Sequence, residues 1–391
     1  MKPTRHRAPT PHRRRAFLAA AGVTSLLLVA ACGAPVTGGT GEAQPSSDGG
    51  TAETTDSFVD LYAQLDGLEG EERTAKLIEL ANKEGTLNIY TSNTQMEEFA
   101  DEFTDKYKDA GLDVQISVYR APANTVLQRL LEEGKAGYAG ADLAEIHSKE
   151  MTALSDAGIL RPIESPVLEG RTEGLDFTDW AVTRMTPEGV VWNTDKVPAD
   201  QAPTSYEDLI DPKWKDQVML EPRSYDWFMT LWTYFEDQGK SEDEITDYFE
   251  KLAANARVVE TFPLQNEFLT TGEMSIGAGA YVNLGYLAQQ KGAPIAFKPF
   301  VDPVIVDPSG LGLVKNAKAP ALALLFAEYF LTDAQDLLSE QGRVPPKELQ
   351  GGGVLDGAHI VVIDPEKLAG GKDKEWRDRY EKLLEGRPTA S

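Results

Sequence analysis

The side chains of this 391-residue chain that are equipped for chemistry are mostly oxygen donors rather than nucleophiles. Ser92-Asn93-Thr94 follow the apolar run TLNIYT and precede a helical pattern. A hydroxyl- and amide-rich helix start of this kind suits a phosphate, phosphonate or carboxylate. Arg120, at the end of "ISVYR", would clamp such an anion bidentately. "RSYDW" offers Ser224, Tyr225 and Asp226, with Asp226 suited to an ammonium group and Trp227 to walling a cleft, and "AEIHS" offers Glu145 or His147. Each also has an ordinary structural role: Thr94 opens a capping box with Glu97, and Arg120 could pair with a carboxylate. Enzyme signatures are missing: there is no G-x-S-x-G, H-E-x-x-H, Walker A or G-x-G-x-x-G pattern. A carboxylate-pair hydrolase is the remaining enzymatic alternative, since 63 Asp+Glu always contain candidate pairs.

The one cysteine, Cys32, stands at the end of an export pattern. Lys2, Arg5, Arg7, Arg13, Arg14 and Arg15 precede the uncharged stretch AFLAAAGVTSLLLVAA. A basic segment followed by an apolar one is an export signal, and this one is shorter than the roughly 20 residues a membrane span needs. "RRRAFL" matches the twin-arginine pattern, and "VAAC" resembles the bacterial lipobox, in which the cysteine takes a diacylglycerol on sulfur. Residues 1–31 are therefore expected to be a signal peptide and Cys32 a lipid attachment point. Residues 32–56, rich in Gly, Ser, Thr and Pro, are expected to form a flexible stalk. Beyond the signal, 32 of the 38 basic residues face all 63 acidic ones. That balance disfavours nucleic acid and anionic lipid surfaces as partners.

These donors need elements to hold them. Residues 58–85 have helical periodicity with a Gly-containing turn inside. Strands are expected at 86–91, 112–120, 141–147, 189–194, 217–220 and 274–281. Helices are expected at 94–107, 123–134, 149–158, from 204 to Pro212, as MTLWTYFEDQG after the loop EPRSYDWF that enters it, and as one long element over 319–342. The tail KEWRDRYEKLL reads as a docking helix. Alternating strands and helices make the class α/β with mostly parallel sheets, and ligands in such sheets sit at the carboxyl ends of strands. The corners at 91–94, 120–125, 146–149, 221–226 and 277–283 are those places.

Five ordered segments carry a resemblance: ANKEGTLNIYTS, VYRAPANTVLQRLLEEGKAGYAGADL, TPEGVVWNTDKVP with APTSYEDLIDPKWKDQV, GEMSIGAGAY, and DPSGLGLVKNAKAPALALLFAEYFLTDAQDLLSEQGRVPPK. Over residues 77–386 the chain resembles the extracellular solute-binding proteins of ABC importers, of the ferric-ion-binding kind. The resemblance implies a two-lobe type II periplasmic-binding-protein fold with crossover hinge strands near 184–190 and 283–300. It implies lobe 1 over 57–186, lobe 2 over 187–285, and a return to lobe 1 with C-terminal docking helices over 286–391. It also implies a permease and an ATPase as partners, a small solute or ferric ion as cargo, no resident cofactor, and a monomer tethered to the outer face of the cytoplasmic membrane. Ferric binders often hold iron on a tyrosine pair after the GE strand. Here Tyr281 occupies the first of those positions and Val282 the second, with Asn283 next. Tyr225, Tyr281 and His147 would be the metal ligands, with an accompanying anion on Arg120. A small organic solute, whether phosphonate, carboxylate or amine, is the alternative.

Overall fold

A computed structural model describes residues 56–390 apart from 170–174, 176, 351 and 369. The expected signal peptide, Cys32 and almost all of the stalk lie outside the described residues. The folded part opens with α1 (Val59–Leu65) and α2 (Gly70–Glu84), separated at Gly67, whose φ of +73° breaks the helical run. Then come β1 (Thr86–Thr91), α3 (Met96–Lys108), β2 (Gln115–Arg120), α4 (Ala123–Lys135), β3 (Leu143–His147), α5 (Ser148–Asp156) and the short β4 (Leu160–Arg161). The long strand β5 (Ala181–Asn193) leads to β6 (Val218–Leu220), α6 (Tyr225–Asp237), α7 (Glu242–Asn255), β7 (Ala256–Val258), α8 (Phe262–Thr271), β8 (Ile276–Tyr281) and α9 (Val282–Gln290). After β9 (Ile295–Ala296), a second long strand, β10 (Val304–Val314), returns to α10 (Pro320–Leu331) and α11 (Ala334–Glu340). The chain ends with β11 (Ile360–Val362) and α12 (Lys372–Leu384).

The main strand order is β2-β1-β3-β10-β5-β8-β6-β7. Pairings at both ends of this order are parallel, as expected for α/β units. The centre is antiparallel, because β10 runs against both β3 and β5, and β5 runs against β8. The sheet is therefore mixed rather than mostly parallel. β5 and β10 are buried along their whole lengths and pair with each other at the centre of the strand order. Within 283–300, where a crossover strand is expected, Val282–Gln290 form a helix, and the long strand follows at Val304–Val314. β5 also begins eight residues before the expected strand. Pro187 and Gly189 interrupt its sequence pattern, and its pairing on both edges keeps it extended despite them.

Two other expectations change. Thr94 does not cap α3: the helix begins at Met96 with Gln95 as its N-cap, and Asn93 Oδ1 accepts from the Gln95 N–H at 3.1 Å instead. The single long helix expected over 319–342 is two, broken at Thr332, whose φ and ψ of −124° and −83° are not helical. α10 is buried on every side by α2, α3 and the first sheet segment, with Phe326, Phe330 and Phe99 forming a ring cluster. The tail does dock: α12 packs on α6 and α7, and Tyr380 stacks on Phe228 at 5.0 Å.

One buried ion pair pins the crossover. Arg184 on β5 donates from Nε to Glu145 Oε1 on β3 at 3.2 Å, and the two side chains are 5% and 0% exposed. Thr91 donates to the other carboxylate oxygen at 2.8 Å, and Thr183 donates to Oε1. A buried carboxylate held this way is structural, which removes Glu145 from the ligand candidates. Arg184→Met would leave that carboxylate buried and unpaired. It is expected to lower unfolding stability in urea by about 3 kcal/mol, and Arg184→Met with Glu145→Gln by less than the sum of the two single changes.

Candidate functional site

The register of the central strands sets a row of functional groups. In an antiparallel pair, opposed residues share a face, and so do residues two apart on one strand. Ser309 of β10 opposes both His147 of β3 and Arg184 of β5. Two residues along β10, Asp307 opposes Thr186, and two further, Ile305 opposes Glu188. Glu188 in turn opposes Tyr281 at the end of β8. His147, Asp307, Glu188 and Tyr281 therefore lie on one face.

That face opens into a cavity of about 560 Å³. Its other walls come from strand ends and helix starts: Ser148, Lys149 and Glu150 entering α5, Glu221 and Arg223 to Asp226 entering α6, Phe262 of α8 and Arg377 of α12. Of the expected site residues, His147, Ser224, Tyr225, Asp226 and Tyr281 line this cavity. Ser92, Asn93, Thr94, Arg120 and Asn283 do not. Arg120 is exposed at the end of β2, so it is not placed to clamp an anion here. Trp227 is fully buried in the lobe 2 core beside Gly279 and Tyr206, not a wall of the cleft. His359 faces Asp302 away from this cavity, consistent with a structural role.

Sequence reasoning missed Glu188, Glu221, Asp307 and Arg377. A signal was there for two of them: Glu188 precedes GVVWN and Asp307 follows VIV, and an acid within an apolar strand run is costly unless it is used. Arg377 was invisible because its place depends on where α12 docks.

The electrostatics are dominated by acid. Asp307 accepts from Ser148 Oγ at 3.2 Å and faces His147 Nδ1 at 3.0 Å. Burial opposes charging the His147 ring, but the hydrogen bond and charge of Asp307 outweigh it, and its pKa rises above the usual 6.5. Burial, and then the charge of Asp307, push Asp226 up to about 6. Glu188 is raised well above the usual 4.5 by burial and then by Asp226, Asp307 and Glu221. The phenol of Tyr281, stacked on Phe262 with ring centres 3.6 Å apart, is raised well above 10 by burial and then by Glu188. Tyr225 sits differently: Lys149 donates to its hydroxyl, and the Arg377 guanidinium lies 5.1 Å over its ring. Among the described residues, no three His, Cys, Asp or Glu side chains stand together as a metal site. A metal reading of this cleft therefore rests on the phenolic oxygens.

Residues 146–364 match the model of the bacterial extracellular solute-binding proteins, which spans more than half of the chain. The chain belongs to this family. Members are extracellular solute-binding proteins, so this chain is an exported solute-binding protein. The chain is 26% identical over 283 residues to iron uptake protein A2 of a Synechocystis strain, covering 66% of this chain and 77% of that protein. Iron uptake protein A1 of the same organism is 24% identical over 304 residues, with 72% and 81% covered. Two similar solved structures are iron-bound HitA from Pseudomonas aeruginosa and AfuA from Actinobacillus pleuropneumoniae with bound fructose-6-phosphate. The first has a TM-score of 0.62 at 20% identity, covering 76% of this chain and 99% of that one. The second has 0.61 at 20%, covering 77% and 99%. At these identities the likeness establishes the fold, a two-lobe type II binding protein.

The raised Asp226 pKa has a definite sign for the unliganded protein. The folded state keeps the proton over a range where the unfolded chain, with a carboxyl near 3.8, has lost it, so stability falls as pH rises from about 4 through about 6. Asp226→Asn keeps an oxygen for the Trp227 N–H, now received at 2.9 Å. It is expected to flatten that fall and to stabilise the metal-free protein at neutral pH by about 1–3 kcal/mol, read by urea unfolding across pH 4 to 8.

Proposed function

We propose that this solute-binding protein captures Fe(III), free or as a ferric complex, and delivers it to the permease of an ABC importer. The observation that carries this reading is the donor set: the phenols of Tyr225 and Tyr281, with His147, Asp226, Glu188 and Asp307 around one cavity. Fe(III) is a hard trication, and phenolate and carboxylate oxygens are hard donors. A bound cation also reverses the local pKa logic, making the phenolate and carboxylate forms favourable where burial alone disfavours them. The curated relatives named as iron uptake proteins support the same cargo.

The organic alternative narrows to a cationic solute. The carboxylates that would welcome an ammonium group would repel a phosphonate or carboxylate, and the expected anion clamp at Arg120 lies outside the cavity. The role is binding without catalysis. The chain acts as a monomer with a permease and an ATPase as partners, and is held to the outer face of the cytoplasmic membrane by lipid on Cys32.

Iron binding has a direct optical test. The full chain, stripped of metal and titrated with ferric citrate, is expected to develop a broad visible tyrosinate–iron band with a stoichiometric end point. Tyr281→Phe should abolish the band, and Tyr225→Phe should weaken or shift it. A folded chain that shows no band would end the tyrosinate–iron reading. For the tether, Cys32→Ser is expected to release the protein into the medium, checked by fractionating cells. Retention in the membrane fraction would refute the lipid anchor.

A further inference from the structure

Glu188 stands out among the acids of the cavity because no ion pair or hydrogen bond answers its side chain among the described residues. The residue is 3% exposed, it lines the cavity, and its Oε2 is buried without a hydrogen-bond partner. Its neighbours differ. Asp307 has Ser148 and His147, Asp226 has the Trp227 N–H, and Glu221 has Arg223 at 2.7 Å. The groups that act on Glu188 are Asp226, Asp307 and Glu221, all of them acidic.

The cations of the cavity are already engaged. Lys149 is 3.5 Å from Glu150 and donates to Tyr225. Arg223 spans Glu221 and the carbonyl of Glu260. Arg377 pairs with Asp373 at 2.8 Å. An anion brought in with the cargo would find no unpaired cation on these walls, and would meet Glu188 and Asp226. A buried carboxylate without a partner is costly, and a cation placed against it relieves that cost.

We propose that Glu188 is a cargo-contacting, specificity-determining residue, and that the cleft takes its cargo as a bare cation, with protein carboxylates standing where an accompanying anion would otherwise sit. This rests on the reading of the cleft as a ferric site and adds to it the charge state in which the iron is held. Glu188 is also what makes the cleft reject anionic solutes that the same fold can accommodate. It acts by direct contact with the cargo, from the middle of a crossover strand rather than from a loop.

Native mass spectrometry of the full chain, loaded from ferric nitrilotriacetate and exchanged into volatile buffer containing carbonate and citrate, tests the idea. The expected result is the mass of one iron with no nitrilotriacetate, carbonate or citrate. Retention of an anion with the iron would overturn the inference while leaving iron binding intact. In competition against a chelator, Glu188→Gln is expected to lower iron affinity about 100-fold or more, and Glu188→Asp, which keeps the charge, by clearly less. Circular dichroism of the metal-free Glu188→Gln protein should match the parent and its melting temperature should be no lower, since a neutral amide at this position relieves the cost of burying an unpartnered acid. Parent-like iron affinity in Glu188→Gln would also overturn the inference. A parent chain that binds no iron at all would instead remove the ferric reading and this inference with it.

Discussion

The register of β5 against β10 is the constraint on which the rest of the structure depends. These two strands are buried along their whole lengths at the centre of the sheet, and their pairing puts Asp307 beside Thr186 and Ile305 beside Glu188. β3 and β8 then attach on either side and bring His147 and Tyr281 onto the same face. A slip of one residue would turn Glu188 and Asp307 to the opposite face and empty the cavity of its acids. The buried Glu145–Arg184 pair, with two threonine hydroxyls, sits in the same layer and penalises such a slip. The site is therefore a property of strand alignment more than of loops.

The same layer shows two ways of burying a carboxylate. Glu145 is matched by a guanidinium and hydroxyls, so its charge is paired inside the protein and it serves the fold. Glu188, a few residues along the sheet face, has no such match, and Asp226 and Asp307 add to the repulsion it feels. The cost falls on the unliganded state and is relieved by positive charge from outside. If the cleft holds a cation as proposed, fold stability and cargo binding compete for the same residues, a trade-off common at functional sites.

Similar structures are named with iron in one case and with a sugar phosphate in another, so the two-lobe scaffold does not choose the cargo. The choice lies in which side chains line the cavity. Here the phenols come from the helix starts after β6 and β8, and the acids from the crossover strands and the α6 entry. α12 closes the arrangement from the far end of the chain. It docks through Tyr380, whose hydroxyl donates to the Glu221 carbonyl, and so presents Arg377 beside Tyr225.

Most of the local elements were legible in the sequence because hydrophobic periodicity and turn chemistry are local properties. The strands at 86–91 and 274–281, the helix at 123–134 and the break near Gly67 follow from residue order alone. So do the acidic balance, the isolation of Cys32 behind an export pattern, and the candidacy of His147, Tyr225, Asp226 and Tyr281 at strand ends. The helix break at Thr332 and the early start of β5 were hidden, because both are imposed by packing and pairing rather than by the residues themselves. The composition of the cleft was decided by tertiary structure. Arg120 and Ser92 to Thr94 also stand at strand ends, yet they do not line the cavity, while Glu188, Asp307 and Arg377 reach it from strands and a helix that no spacing connects. Pairing between segments more than a hundred residues apart sets those positions, and sequence periodicity carries no information about which distant strand a residue will face.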